Sequence, residues 1–314
     1  MTTFDTVRVA AIQATPVTLD AEATVEKAVG LLEDAAAAGA QLAVFPECFV
    51  SLYPDWIWTS AACVDRAAFD ELYARMWEES VEADGPLVQT LIDACARTGV
   101  HCAIGVNERE PGRSYTIYNS LLIIGPPGLL HVHRKLMPTK HERMFHGFGT
   151  GDDLQVVDTP LGRIGGLICW ENRMPLARYL VYRGGPQIWV APTADTSDGW
   201  IALIQTIAME SGSYAVGVPQ YVNRAAFPDD FPIELPGGLE ESMRGGAVIA
   251  DPRGEVIAGP LYGEEGMVLA DCDLRAGLRT RGWFDPVGHY GREEILVPLI
   301  GNGSPAALDP TLGL

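Results

Sequence analysis

Lysine is nearly absent from this sequence. Of the 22 basic residues among 314, nineteen are arginine and three are lysine: Lys27, Lys135 and Lys140. Two of these three fall in one six-residue stretch. Positive charge as a whole is also scarce, because 41 acidic residues leave a net charge of −19 at pH 7. A chain this acidic is repelled at long range by polyanions, which argues against nucleic acid and against an anionic membrane surface as partners. No run of 18 apolar residues occurs, so no membrane-spanning helix is expected. Met1 to Pro16 holds no basic stretch followed by an apolar one, and the expectation is a cytoplasmic protein with reduced cysteines.

Several chemical signatures are missing as well. None of the six cysteines (Cys48, Cys63, Cys95, Cys102, Cys169 and Cys272) forms a C-x-x-C pair, which excludes zinc-ribbon and thioredoxin-like chemistry. No G-x-S-x-G elbow, Walker A loop or G-x-G-x-x-G fingerprint is present. Gly147, Gly149 and Gly151 alternate, but Thr150 and Asp152 do not continue a phosphate loop, and the stretch reads as a tight turn. His141-Glu142 opens like a zincin motif, yet the next histidine is His146, five residues on, so the two rings do not share a helix face. His131 and His133 lie at strand spacing, and a half-exposed strand explains them more simply than a metal site.

What remains is an ordinary globular composition, 47% hydrophobic and 20% charged, in a chain long enough to bury a sizeable core. Short β-type runs alternate with amphipathic segments, the pattern of one α/β domain. Strands are expected at Val7–Gln13, Leu42–Phe45, Val100–Val106, Tyr115–Ile124, Leu129–Arg134, Gln155–Asp158, Ile164–Ile168, Gln187–Ala191, Tyr214–Pro219, Ala247–Asp251, Glu255–Ala258 and Met267–Cys272. Helices are expected at Ala21–Ala38, capped by Asp20, and at Arg66–Ala83, Pro86–Thr98, Met174–Arg183 and Trp200–Ser211. Asn223–Met243 reads as a long loop, and the tail after Gly301 as a fraying end.

Three reactive groups each sit just beyond an apolar strand, where α/β folds place their sites. Glu47 follows Leu42-Ala43-Val44-Phe45-Pro46, and partial desolvation there would raise its pKa toward that of a general base. Lys135 follows the Leu129–Arg134 run, and its ammonium suits a developing anion. Cys169 ends Ile164–Ile168 ahead of a helix, a strand–turn–helix arrangement that aims a thiol at a cleft. Each alone has a bland reading: a solvated glutamate, a surface lysine, a packing cysteine. Together they form a nucleophile, a base and an oxyanion stabiliser.

Glu47 in Phe-Pro-Glu, Lys135 in Arg-Lys-Leu-Met-Pro-Thr and Cys169 in Cys-Trp-Glu-Asn resemble the Glu–Lys–Cys triad of the nitrilase (carbon–nitrogen hydrolase) superfamily, over roughly Val7 to Tyr290. Trp170 after the cysteine resembles the nitrilase branch. So do Tyr53-Pro54 with Trp56 and Trp58 (Leu52 stands where that segment has Gly), His141-Glu142-Arg143, and Ala191-Pro192-Thr193-Ala194-Asp195. Gly288-His289-Tyr290 resembles the start of the family's C-terminal segment, and the short remainder argues against long filaments.

The resemblance implies a four-layer α-β-β-α sandwich that dimerises across a two-fold helix interface, with residues 1–300 as a single domain and 301–314 as a flexible tail. It implies hydrolysis of a small organic nitrile by water to the acid and ammonia through a Cys169 thioimidate and thioester, with Glu47 as base. Lys135 and the backbone N–H of Trp170 would hold the tetrahedral species, with Glu142 as a second glutamate supporting Lys135. Tyr53, Thr139, Thr193 and Trp170 are the expected pocket residues. Neither metal nor organic cofactor is called for, and a homodimer or larger homo-oligomer is expected. An amidase or N-carbamoyl hydrolase using the same triad is the alternative, and Trp170 argues against it.

Overall fold

Strand β1 (Thr6–Gln13) buries both of its faces: Val7, Val9 and Ala11 point into one apolar core, while Ala10 and Ile12 point into another. Successive side chains on a strand alternate between faces, so a strand with buried apolar residues on both faces belongs in the middle of a layered structure. The computed structural model describes residues 5–58, 65–112, 114–229, 231–233 and 241–301. Among them are thirteen strands in two sheets and seven α-helices.

The first sheet contains β1, β2 (Leu42–Val44), β3 (His101–Arg109), β4 (Ile117–Gly125), β5 (Gly128–Arg134) and, at its far edge beside β1, β13 (Gly266–Asp273). The second runs in the order β10 (Tyr221–Asn223), β11 (Glu241–Ala250), β9 (Tyr214–Pro219), β8 (Ile188–Thr193), β7 (Gly162–Gly166) and β6 (Val157–Thr159), with β12 (Val256–Tyr262) paired to β11. One core lies between the sheets, where Val9, Val44 and Ile123 meet Ile164, Val190 and Val216. Helices α1 (Ala21–Ala37) and α3 (Pro86–Thr98) cover the outer face of the first sheet through Val25, Leu32, Leu91 and Cys95. Helices α4 (Pro175–Tyr182) and α5 (Asp198–Ser211) cover the second through Val181, Trp200 and Ile204. The layer order is the expected α-β-β-α. Each fully buried aliphatic side chain in these cores contributes about 1.5–3 kcal/mol.

The remaining helices are α2 (Arg66–Glu78), α6 (Arg275–Arg281) and α7 (Glu293–Gly301). Helix α2 stops five residues before the expected Ala83. The chain turns extended so that Val81 can bond along β3, its N–H to Asn107 O at 2.9 Å and its carbonyl to Arg109 N at 2.9 Å. The supposed loop Asn223–Met243 is ordered at both ends, because β10 and β11 pair as an antiparallel ladder through Val222 and Met243. Residues 234–240 and Cys63 lie outside the described residues, as does the tail beyond Gly301. His133 is not half-exposed but buried, because two carboxylates enclose its ring.

Strand direction positions the chemistry. β1, β2 and β3 are parallel. β4 reverses and β5 reverses again, so β5 shares the direction of β2. Glu47 and Lys135 therefore leave the first sheet at the same edge. β7 and β8 are parallel, so Cys169 and Thr193 leave the second sheet together.

Candidate active site

The Glu47 turn depends on a missing side chain. A Cβ on Gly105 of β3 would stand 2.3 Å from Pro46 O, 2.6 Å from Cys48 N and 2.7 Å from Glu47 Cα. All three are backbone atoms, so nothing swings aside. Gly105→Ala is expected to lose about 1–3 kcal/mol, the usual range for overpacking, and to move Glu47. A denaturant titration and turnover of the same preparation check this, and an unchanged midpoint with unchanged turnover would show that the turn gives way freely. Gln220, where β9 leads into β10, ties the same turn to the second sheet by donating from Nε2 to Glu47 O at 2.7 Å.

Lys135 lies fully buried between two carboxylates. Its Nζ stands 2.6 Å from Glu47 Oε1 and 2.8 Å from Glu142 Oε2. Glu142 comes from the 3-10 turn Lys140–Met144, and Thr139 N donates to its Oε2 at 2.9 Å. Tyr53 OH reaches the same oxygen at 3.4 Å. Asn119 of β4 joins the two acids, donating from Nδ2 to Glu47 Oε1 at 2.7 Å and to Glu142 Oε1 at 2.8 Å. His146 Nδ1 lies 3.1 Å from Glu142 Oε1, and its Nε2 lies 2.8 Å from Asn107 Oδ1. Glu47 Oε2 is buried and has no hydrogen-bond partner among the described residues.

These surroundings divide the charges. Burial alone would lower the pKa of Lys135, but Glu142 and then Glu47 outweigh it and hold the ammonium well above its ordinary range. Burial also works against ionised Glu142, yet Lys135 and His146 hold that carboxyl far below the usual range. Glu47 goes the other way: burial raises it, and Lys135 offsets only part of that effect. One carboxylate is thus locked as an anion while its neighbour moves toward a proton acceptor.

Cys169 opens a 3-10 turn, Cys169–Arg173, at φ +51°, a left-handed conformation that β-carbons resist. Asn172 holds the turn, donating from Nδ2 to Leu167 O at 2.7 Å and Cys169 O at 2.9 Å while Trp189 Nε1 donates to its Oδ1 at 2.8 Å. Thr193 Oγ1 donates to Cys169 Sγ at 3.1 Å. Burial, and after it the charge of Glu47, pushes the thiol well above its ordinary pKa, with Lys135 and the Thr193 bond opposing. These surroundings favour the protonated thiol.

A buried brace links the lysine and cysteine segments. Glu171 accepts from Leu136 N at 2.5 Å and from Ile168 N at 2.8 Å. His133 closes the brace, with Nε2 3.0 Å from Glu171 Oε2 and Nδ1 3.1 Å from Asp153 Oδ1. Burial opposes its protonation, but Glu171 and Asp153 raise His133 to about 10, so the imidazolium donates to both acids.

A cavity of about 500 Å³ opens over Cys169 and is lined by Tyr53, Thr139, Lys140 and Trp170. Trp170 donates from Nε1 to Asp195 at 2.9 Å and carries Lys140 and Arg173 over its ring at 5.7 and 4.9 Å. The candidates Glu47, Lys135 and Glu142 thus meet directly. Tyr53, Thr139, Thr193 and Trp170 surround them or the thiol. The sequence reading missed Asn119, Asn107 and the brace, because a lone Asn or His in a strand carries no signal. His146 was visible only as a failed zincin residue, and its partner is Glu142 at i−4, not His141. Lys140 is part of the cavity wall.

The sequence model of the carbon–nitrogen hydrolase family matches residues 8–281. This chain is a carbon–nitrogen hydrolase. Among curated relatives, the bifunctional nitrilase/nitrile hydratase NIT4A of Nicotiana tabacum is 41% identical over 300 residues, covering 93% of this chain and 85% of that protein. An aliphatic nitrilase of Sinorhizobium fredii is 40% identical over 290 residues, covering 92% and 93%. Among solved structures, Saccharomyces cerevisiae Nit3 superposes with a TM-score of 0.72 at 21% identity, covering 91% of this chain and 97% of that one. The C. elegans NitFhit protein gives 0.73 at 21%, covering 94% and 66%. At that identity the structures speak for the fold alone. Within this fold Glu47 and Lys135 lie near enough to Cys169 for their charges to act on its thiol.

Proposed function

We propose that this carbon–nitrogen hydrolase is a nitrilase, converting a small organic nitrile and two waters to a carboxylic acid and ammonia. The observation that carries the reading is the similarity, near 40% identity over more than nine-tenths of the chain, to proteins named as nitrilases. The geometry around Cys169 supports it. Glu47, through its unpartnered Oε2, takes the thiol proton, and Sγ adds to the nitrile carbon. The nitrogen accepts a proton and a thioimidate forms. Glu47 then takes a proton from water, the water oxygen adds to the same carbon, and the tetrahedral species expels ammonia to leave a thioester. A second water releases the acid and restores the thiol. Lys135 and the Trp170 N–H stabilise the anionic adducts, and Glu142 keeps Lys135 charged.

Expulsion of sulfur instead of ammonia from the tetrahedral species would release the amide. A panel of aliphatic and aromatic nitriles beside the matching amides, with acid, amide and ammonia quantified, tests the reading. Acid and ammonia from nitriles are expected, and turnover confined to the amides would overturn it. The same reading takes residues 1–300 as one domain of a cytoplasmic homodimer or larger homo-oligomer. Exposed Leu176 and Leu180 on α4 beside Leu296 and Val297 of α7 support a subunit contact there.

A further inference from the structure

We propose that Asp55 selects nitriles that carry a protonated amine, an inference that rests on the nitrilase reading. Tyr53 and Trp170 suggest an apolar pocket, but the cavity over Cys169 is also walled by four charged side chains, Asp55, Lys140, Asp195 and Arg244. Three of the four have complementary neighbours. Asp195 holds Arg173 at 3.0 Å and the Trp170 N–H at 2.9 Å. Arg244 holds Asp198 at 2.6 Å and Thr196 O at 2.9 Å. Lys140 lies over the Trp170 ring. Among the described residues the Asp55 carboxylate accepts from the hydroxyl of Ser242 and no cation pairs with it.

A carboxylate in a largely buried wall costs free energy until a charge or donor meets it. Burial does push the Asp55 carboxyl above its ordinary pKa, with Ser242 opposing. Among the described residues no side chain supplies the complement, and the substrate is the group that would bring it. An aryl or alkyl nitrile would leave the carboxylate desolvated and alone, and an anionic one would meet it as a like charge. An ammonium supplies both charge and N–H donors. Asp55 is also held at a set position relative to the thiol. It begins the 3-10 turn Asp55–Trp58, two residues after Tyr53, and the turn is anchored by buried Trp56 and Ile57.

The test compares aminoalkyl nitriles of two to five methylenes with alkyl nitriles in which a methyl replaces the ammonium. The readout is the ratio of the two kcat/KM values at each length. In the wild-type protein a ratio of about ten or more is expected for at least one length, carried by KM, because a charge-assisted bond made at the far end of the substrate forms equally in ground and transition states. Asp55→Asn should bring the ratio close to one, and Asp55→Glu should keep part of it, which covers the case in which the Asn variant fails to fold. A ratio near one at every length in the wild type, or a ratio that survives in Asp55→Asn, overturns the proposal. If only amides turn over, the nitrilase reading fails and the same pairs are compared as amides, where the same ratios support or overturn the role of Asp55. If neither class turns over, protection of Cys169 from iodoacetamide by each member of the pair gives the ratio.

Discussion

Replacing Cys169 with alanine is expected to lower nitrile turnover by about 10⁴-fold or more, the scale seen when a covalent nucleophile is removed. The expectation follows from where the sulfur sits. Burial and the charge of Glu47 keep it protonated, so it contributes nothing as a standing thiolate. Its value lies in attack assisted by a base, and that route needs both the sulfur and the Glu47 oxygen that has no hydrogen-bond partner among the described residues. The fold should persist. Alanine takes up the φ of +51° with the same Cβ, and Asn172 continues to hold the turn through backbone oxygens of Leu167 and Cys169. The denaturation midpoint is expected to move by about 1 kcal/mol or less. Ammonia release by the pure variant and its urea titration measure the two quantities. Turnover within tenfold of the parent would remove Cys169 from the mechanism.

Lys135→Arg should be nearly as damaging, although the charge is preserved. The ammonium bridges Glu47 and Glu142 at 2.6 and 2.8 Å, and its side chain is wholly enclosed. A guanidinium is larger and planar, and it binds one carboxylate through two parallel bonds rather than two carboxylates through a point charge. Forcing it in costs about 1–3 kcal/mol of overpacking. It also changes the placement of Glu47, which Asn119 and Lys135 hold by the same oxygen. Loss of a stabilising donor aimed at a developing anion costs about 10²–10³ in kcat, and that fall is expected here. Separate measurement of kcat and KM for one nitrile decides it. A variant with unaltered kcat would make Lys135 a structural cation rather than a participant in the reaction.

Much of this was readable along the chain. Short apolar β-type runs marked the strands, and the helix from Ala21 was framed by Asp20, whose side chain accepts from Ala23 N, and by Gly39 at φ +80°. The strand-end positions of Glu47, Lys135 and Cys169 were visible because each comes just after a β-type run in the sequence. Less visible was whatever depended on pairing at long range. The early end of α2 follows from Val81 bonding to β3, and the ordered β10 and β11 follow from their mutual ladder. His131 and His133 were read alike from spacing. They differ because the side chains of Asp153 and Glu171, 20 and 38 residues further on, hydrogen-bond to both ring nitrogens of His133.

By itself, the sequence determined which groups were available: a thiol, a carboxylate and a rare ammonium in a chain that otherwise uses arginine, together with the family to which their motifs belong. Tertiary structure decided what those groups are. Glu47 and Glu142 are the same residue type, yet one is lifted toward a base and the other held as an anion. That difference arises from burial, from the shared Lys135 and from His146 standing beside only one of them. Protonation energies depend on neighbours in space and on the water excluded around them, and a strand order that returns β5 to the side of β2 is needed to supply both. The same holds for Asp55, an ordinary loop acid in the chain, which meets the hydroxyl of Ser242, 187 residues away, only in the folded wall of the cavity.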